Sequence, residues 1–495
     1  MSTIRKQTII SSVLVYIGFG IGAINMLYFT KKGYFTEEQF GLATIFYSFS
    51  QLALVFSLFG LNAVIYKFHP YYKDNLPKKQ IDLLSWCLVI ILIGFALVCI
   101  IGYFIEPIVI KSYSKKSKLL VDYYYLLFPF AFGALIFTLF EAYAVSLRKP
   151  IAPSFLRETV FKFLNLIIIL LYCFKQIDFT TFMYLFMSLN LITAGLLIAY
   201  IFKIGELHFS FKVSKVTKKF WKKMLQMQSL IYFGTLVIAV GATIDAFVIN
   251  EVLGLKIVGY FTIAQYGSSL IQVPTRTIQN VSVAVLSQAW KDKNYHEIQR
   301  VYNRSSINLL LLSLFLFGNI WLNVLPLFDF FDIQKGFQTA LNTLFIFGIA
   351  RCIDGAFGVN NIILGTSNFW KFDFISSVIL LALRLPLAWV LISKYGIIGS
   401  AFAELIAVTT YNFLRFVFLK IKFNFQPFSY KTLLSVLLAL ASYFVAFYFC
   451  ENFNGLVGMI CRALIFCSLM VAGIFTFKLT PDALQMYERW VKRVK

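Results

Sequence analysis

Arg276 lies near the middle of a stretch, Gly259 to Gln288 (GYFTIAQYGSSLIQVPTRTIQNVSVAVLSQ), that is apolar enough to enter a bilayer yet polar along one side. Gln265, Ser269, Gln272, Arg276 and Gln279 recur at steps of three and four, which on a helix makes one polar stripe. Hydrocarbon solvates neither a guanidinium nor a row of amides, so the stripe must line a wet cavity or pack on other polar helices. A guanidinium there is a forked donor suited to phosphate. Pro274 predicts a kink beside it.

Asp245, Arg351, Asp354, Arg384 and Glu404 join Arg276 as charges deep inside apolar runs. Three positive and three negative groups can neutralise one another as buried pairs, and Arg351 with Asp354 at i,i+3 is the obvious local case. The functional reading places Arg276, Gln272, Gln279, Arg351 and Arg384 around a cavity that binds an anionic headgroup. Asp245, Asp354 and Glu404 are then candidate cation or proton sites, open to coupling with Na+ or H+ and needing no other cofactor. A second group, Glu141, Arg157, Glu158 and Lys162, lies within snorkelling reach of the cytoplasmic interface, with Glu158 and Lys162 a favourable i,i+4 pair that Glu141 can join. Arg462, near a helix end, snorkels. Seven cysteines without a CxxC pair read as small apolar packing residues, and His69, His208 and His296 are scattered over polar loops, so no metal or catalytic constellation emerges.

The elements that must position these groups are membrane spans. Over 495 residues the chain is 60% hydrophobic and 14% charged, with a mean hydropathy of +0.79, which reads as an all-α integral membrane protein. Apolar runs of about 20 residues predict about fourteen transmembrane helices. They cover 9–29, 40–65, 83–105, 122–146, 153–174, 181–202, 226–250, 259–288, 305–324, 338–364, 372–393, 397–419, 432–450 and 458–477. The run Ile9 to Phe29 is too long for the apolar part of a cleaved signal and is read as the first span.

With both termini inside, the cytoplasmic loops hold 29 Lys plus Arg and the outer loops 10, a bias that sets this orientation. The one blemish is the loop 106–121, whose four lysines sit on the wrong side. The formal charge of +23 is therefore a topology signal and a surface for anionic lipid, not a nucleic-acid footprint.

The longest break, 203–225, carries seven lysines and divides the spans six and eight. Sliding the second span onto the eighth by 218 positions pairs Gly41 with Gly259 and Asn62 with Asn280, with five further identities between them. Both copies run in the same direction, so the halves are related by a pseudo-twofold along the membrane normal. Leu58 faces Arg276 in this alignment, which makes the halves chemically unequal.

Three motifs carry a resemblance to a known family: DAFVIN at 245–250 followed by Leu253, Gly254 and VGYFTIA at 258–264; YGIIGSAFA at 395–403; and EQFGLA at 38–43. Together they resemble the bacterial polysaccharide flippases of the Wzx type, in the superfamily that also holds multidrug exporters and the lipid II flippase. The resemblance implies two six-helix lobes, 1–202 and 226–419, joined by the basic linker 203–225 and followed at 420–495 by two accessory helices and a cytoplasmic tail. It implies transport of an undecaprenyl-pyrophosphate-linked oligosaccharide across the inner membrane by alternating access, alongside other polysaccharide-assembly proteins, with Asp245 at the family's acidic position. The chain departs from the pattern in lacking a proline at 229–233 and in lacking arginines in its first two spans.

A cation-coupled multidrug exporter is the alternative, although spans 9–29 and 40–65 contain none of the acidic residues that such proteins place there. A membrane-embedded glycan ligase or polymerase would need a large catalytic outer loop, and the longest one, 106–121, has no acid/base pair.

Overall fold

A computed structural model describes residues 3–113, 117–451, 453 and 455–482. Among them the regular elements are all helices. Eleven are long and apolar enough to cross a membrane, and Ile17–Thr30 adds a shorter apolar one. The count differs from fourteen because two of the expected spans are broken.

The stretch 259–288 breaks at Gln272 into helices Leu255–Ile271 and Val273–Lys291, with Pro274 in the first turn of the second. Proline lacks the N–H that a continuing helix would need, but it fits a first turn, where that donor has no partner anyway. The fifth span is interrupted by a π-turn, Leu156–Val160, between Ile151–Phe155 and Phe161–Cys173. The second span also ends early: Glu37–Leu58 stops at Phe59 and Gly60, both left-handed, before Leu61–Asn75 begins. By contrast Lys215–Leu253, which has no proline at 229–233, runs unbroken for 39 residues.

The chain forms two compact units, Met1–Gly259 and Tyr260–Lys495. Apolar side chains gain little by leaving lipid for protein, so association inside each unit depends on close packing. In the first unit, Leu127–Ser146 is the central helix, packed on Phe179–Lys203, Glu37–Leu58 and Leu61–Asn75. Its Leu135, Leu139 and Ala142 are fully buried. In the second unit, Ile397–Phe423 packs on Trp370–Tyr395 and Leu341–Ala356, and Tyr295–Phe330 carries the last two helices, Tyr430–Phe449 and Gly455–Thr476.

Two motif glycines have a conformational reason. Gly254 (φ 87°) turns the chain between Leu253 and Leu255, and Gly396 (φ 66°) does so between Tyr395 and Ile397; side chains strongly disfavour both geometries. Gly41 is needed for space instead: a Cβ there would sit 1.9 Å from the Leu255 carbonyl oxygen, and Gly259, its partner in the repeat, lies against the same contact. Gly41→Val is expected to destabilise the folded protein by about 1–3 kcal/mol or more, as overpacking does. Gly20→Val, where the added atom meets nothing within 4 Å, is the neutral control. Thermal unfolding followed by size-exclusion fluorescence checks the pair, and equal stability of the two variants would refute the contact.

Segment 203–225 is docked on the first unit. Ser214 N–H and Thr217 Oγ1 both donate to Asp82 Oδ2 at 2.9 and 2.7 Å, and the Tyr72 hydroxyl lies 2.7 Å from Thr217 Oγ1. Asp82 is completely buried, so these donors replace the hydration of its Oδ2. His69, expected in a polar loop, is buried edge-on against the Tyr143 ring. Burial, reinforced by Lys73, holds its imidazole below the ordinary pKa.

Candidate functional site

The first unit holds an open cavity of about 670 Å³, within the range of small-molecule sites. Its walls come from the second, fourth, fifth, sixth and seventh spans. Tyr47, Gln51 and Asn62 stand on one side, Thr138 and Asn190 on others, and Arg157, Glu158 and Lys162 at the π-turn. A π-turn inserts one residue into the helical repeat and re-aims the side chains around it. The first helix supports it from behind, since Gly18 lets the Glu158 carbonyl approach to where a Cβ would stand 2.1 Å away.

The charges expected near this interface are brought together. Arg157 Nη1 reaches Glu141 Oε2 across the helix interface at 2.6 Å, its Nη2 donates to Thr138 Oγ1 at 3.2 Å, and its guanidinium lies 5.0 Å above the Phe137 ring. Lys162 Nζ donates to Glu158 Oε2 at 2.8 Å. Arg157 and Lys162 keep 45% and 27% of their side chains accessible, so a ligand in the cavity can touch them. Asp245 lies in the same unit, 1% exposed, and is not among the residues lining the cavity.

A second charged cluster lies in the other unit. Glu404 accepts from Arg351 Nη1 at 2.6 Å and from Arg384 Nη2 at 3.2 Å. With its oxygen turned to the guanidinium, the Gln272 amide accepts from Arg351 at 2.9 and 3.3 Å. Four of the groups read as headgroup ligands or ion sites are thus one network, with two cations on one carboxylate. Arg351 and Arg384 are only 12% and 11% exposed, which makes them poor first contacts for a ligand.

Arg351 therefore takes Glu404 where the sequence suggested Asp354. Asp354 accepts from Asn412 at 2.9 Å, and Asn412 in turn accepts from Asn360 at 2.9 Å. Gln279 donates to Asn361 at 3.5 Å. The Arg276 side chain lies outside the described residues. Arg462 donates to the carbonyls of Cys450 and Phe453 at 3.1 and 3.2 Å, as a residue near a helix end can.

One charged site escaped the reading of the sequence. Arg415, counted there among the cytoplasmic cations although it falls within the expected span 397–419, is 1% exposed inside helix Ile397–Phe423. It pairs with Asp373, donates to Ser376 at 3.0 Å and lies 3.7 Å from the Tyr411 ring centre. The available signal was the spacing of Glu404, Tyr411 and Arg415, steps of seven and four that fall on one helical face.

A family model described as "Polysaccharide biosynthesis protein" matches residues 4–290, which takes in the first unit and its cavity. The chain belongs to this polysaccharide biosynthesis family. Solved structures give the fold of this family member. It is similar to the lipid II flippase MurJ in an inward closed conformation, with a TM-score of 0.70 at 18% identity over 95% of this chain and 99% of that one. It is also similar to a multidrug resistance transporter of the MATE family of the MOP superfamily, inward-facing, with a TM-score of 0.64 at 12% identity over 83% and 94%. A MOP-superfamily transporter from Pyrococcus furiosus gives 0.59 at 14% identity over 84% and 95%. At such identities the likeness is one of fold: this polysaccharide biosynthesis protein has the all-helical, multi-pass membrane fold of the MOP transporters. A comparison of its sequence with curated proteins finds no match.

Proposed function

We propose that the protein is a flippase that moves an undecaprenyl-pyrophosphate-linked oligosaccharide from the cytoplasmic to the outer leaflet of a bacterial inner membrane, with both termini in the cytoplasm. The observation that carries this reading is the first-unit cavity of a polysaccharide biosynthesis protein, lined by amides and hydroxyls and edged by two accessible cations. Arg157 and Lys162 would meet the pyrophosphate as charge-assisted donors. Gln51, Asn62, Thr138 and Asn190 offer the donor and acceptor pairs that sugar hydroxyls require. The lipid tail would stay in the bilayer.

Glu141 and Glu158 give such a site a way to let go. Each carboxylate already holds one of the cations, so phosphate must displace it and the carboxylate can return. Binding that is too tight would trap the headgroup, whereas exchange between two anionic partners keeps it reversible. Rocking of two lobes would then present the headgroup to the other side, with no covalent step. Arg351, Arg384 and Glu404, with Gln272, would hold the helices of the second unit in register and leave an excess positive charge among them.

Asp245, buried on the long seventh span, is the proposed coupling site for Na+ or H+. Disrupting the gene should abolish surface polysaccharide, and Asp245→Asn should restore folded protein but remove the dependence of transport on an ion gradient. Unchanged ion dependence would dismiss Asp245 from coupling. Normal polysaccharide with new drug sensitivity in the disrupted strain would favour the exporter.

A further inference from the structure

The docked segment between the sixth and seventh spans has two faces. In the loop 209–214, Ser210 N–H donates to Ser85 Oγ at 2.8 Å and Ser214 N–H to Asp82 at 2.9 Å, which ties these two residues to the first unit. Beside them Phe209, Phe211 and Val213 stay 46%, 61% and 47% exposed. The helix that follows continues the division. Val216 and Met224 are buried in the core of the unit, with Phe220 packed on Phe68 and Tyr71. Trp221 and Leu225 stay about half exposed on the other side.

Six exposed lysines, Lys212, Lys215, Lys218, Lys219, Lys222 and Lys223, surround these apolar side chains. No Asp or Glu occurs between Glu206 and Asp245 to balance them. A solvated polar face would account for the lysines but not for two phenylalanines, a valine, a tryptophan and a leucine held outward among them. Aromatic side chains at headgroup depth with lysines reaching phosphates account for both.

We propose that Phe209–Leu225 is a docking strip for anionic phospholipid, seating the lysine-rich end of helix Lys215–Leu253 on the leaflet. The occupant follows from charge complementarity together with the apolar row: a bilayer offers phosphodiester charge and acyl chain side by side, whereas a soluble anion offers only the first. Because Asp82 fastens Ser214 and Thr217, the bound leaflet fixes the start of the helix that carries Asp245. The strip is separate from the cavity and independent of what the protein transports.

The test uses the full-length protein purified in detergent and titrated with fluorescent phosphatidylglycerol and, in parallel, phosphatidylcholine of the same chains. Phosphatidylglycerol is expected to bind at least about tenfold more tightly, with the preference falling as salt rises from about 50 to about 300 mM. Replacing all six lysines by Gln should remove the preference, and replacing them by Arg should keep it. Phe211→Ser with Trp221→Ser should weaken both lipids. Thermal unfolding identifies any variant that fails to fold, in which case the Arg set and the salt dependence decide. Equal binding of the two lipids by the wild type, a preference that survives the Gln variant, or full displacement by inorganic pyrophosphate would each overturn the proposal.

Discussion

Glu404→Ala is expected to destabilise the protein by about 3–5 kcal/mol, because it leaves Arg351 and Arg384 facing each other in a nearly closed site without their shared carboxylate. The loss should show as a large fall in the apparent melting temperature of the purified protein and in its yield from the membrane. Converting the whole cluster to apolar residues of similar volume, Arg351→Met with Arg384→Met and Glu404→Leu, should restore most of it, since desolvating three charges offsets much of their attraction. The contrast separates two roles. If the arginines are structural, the apolar cluster folds and still transports; if they bind the headgroup, it folds and does not. A Glu404→Ala protein as stable as the wild type would show that the network contributes nothing.

The second large effect belongs to the cavity. Arg157→Ala with Lys162→Ala removes two accessible cations whose carboxylate partners keep 19% and 28% of their side chains accessible, so stability should change by only about 1 kcal/mol per pair. Transport should suffer far more. A hydrogen bond to a charged group is worth about 1.5–3 kcal/mol, so each loss weakens headgroup binding by roughly ten- to a hundredfold. The double variant should therefore fail to restore surface polysaccharide at normal expression. Arg157→Lys with Lys162→Arg, which keeps both charges, should recover much of the activity, although lysine lacks the fork that grips two oxygens. A double Ala variant with wild-type transport would remove the cavity from the mechanism.

The apolar runs located the helices well because membrane spans are set by length and hydropathy, which are local properties. The break at Pro274 and the Glu158–Lys162 pair were visible for the same reason, one residue acting on its own turn and its neighbour four positions on. Glu141 was placed beside Arg157 by depth alone. Which acid meets Arg351 was beyond that reasoning: Asp354 is nearer in sequence, but Glu404 is presented by a packed helix, and only the packing of Leu341–Ala356 on Ile397–Phe423 decides between them. Arg415 was missed because it lies in the last turn of the expected span 397–419 and was counted with the cytoplasmic cations, while the helix runs on to Phe423 and buries the charge against Asp373. Segment 203–225 read as a linker by composition; its docking rests on Asp82, more than a hundred residues earlier, which nothing local announces.

The most direct measurement is flipping in vesicles of defined composition. Purified protein is reconstituted with undecaprenyl pyrophosphate bearing a short oligosaccharide labelled with a reducible fluorophore, and a membrane-impermeant reductant is added outside. Wild-type protein should make the whole labelled pool reducible, while empty vesicles and the Arg157→Ala, Lys162→Ala protein should expose only the outer-leaflet share. Reduction by wild-type vesicles no faster than by empty ones, or equally fast by the double variant, would contradict the account.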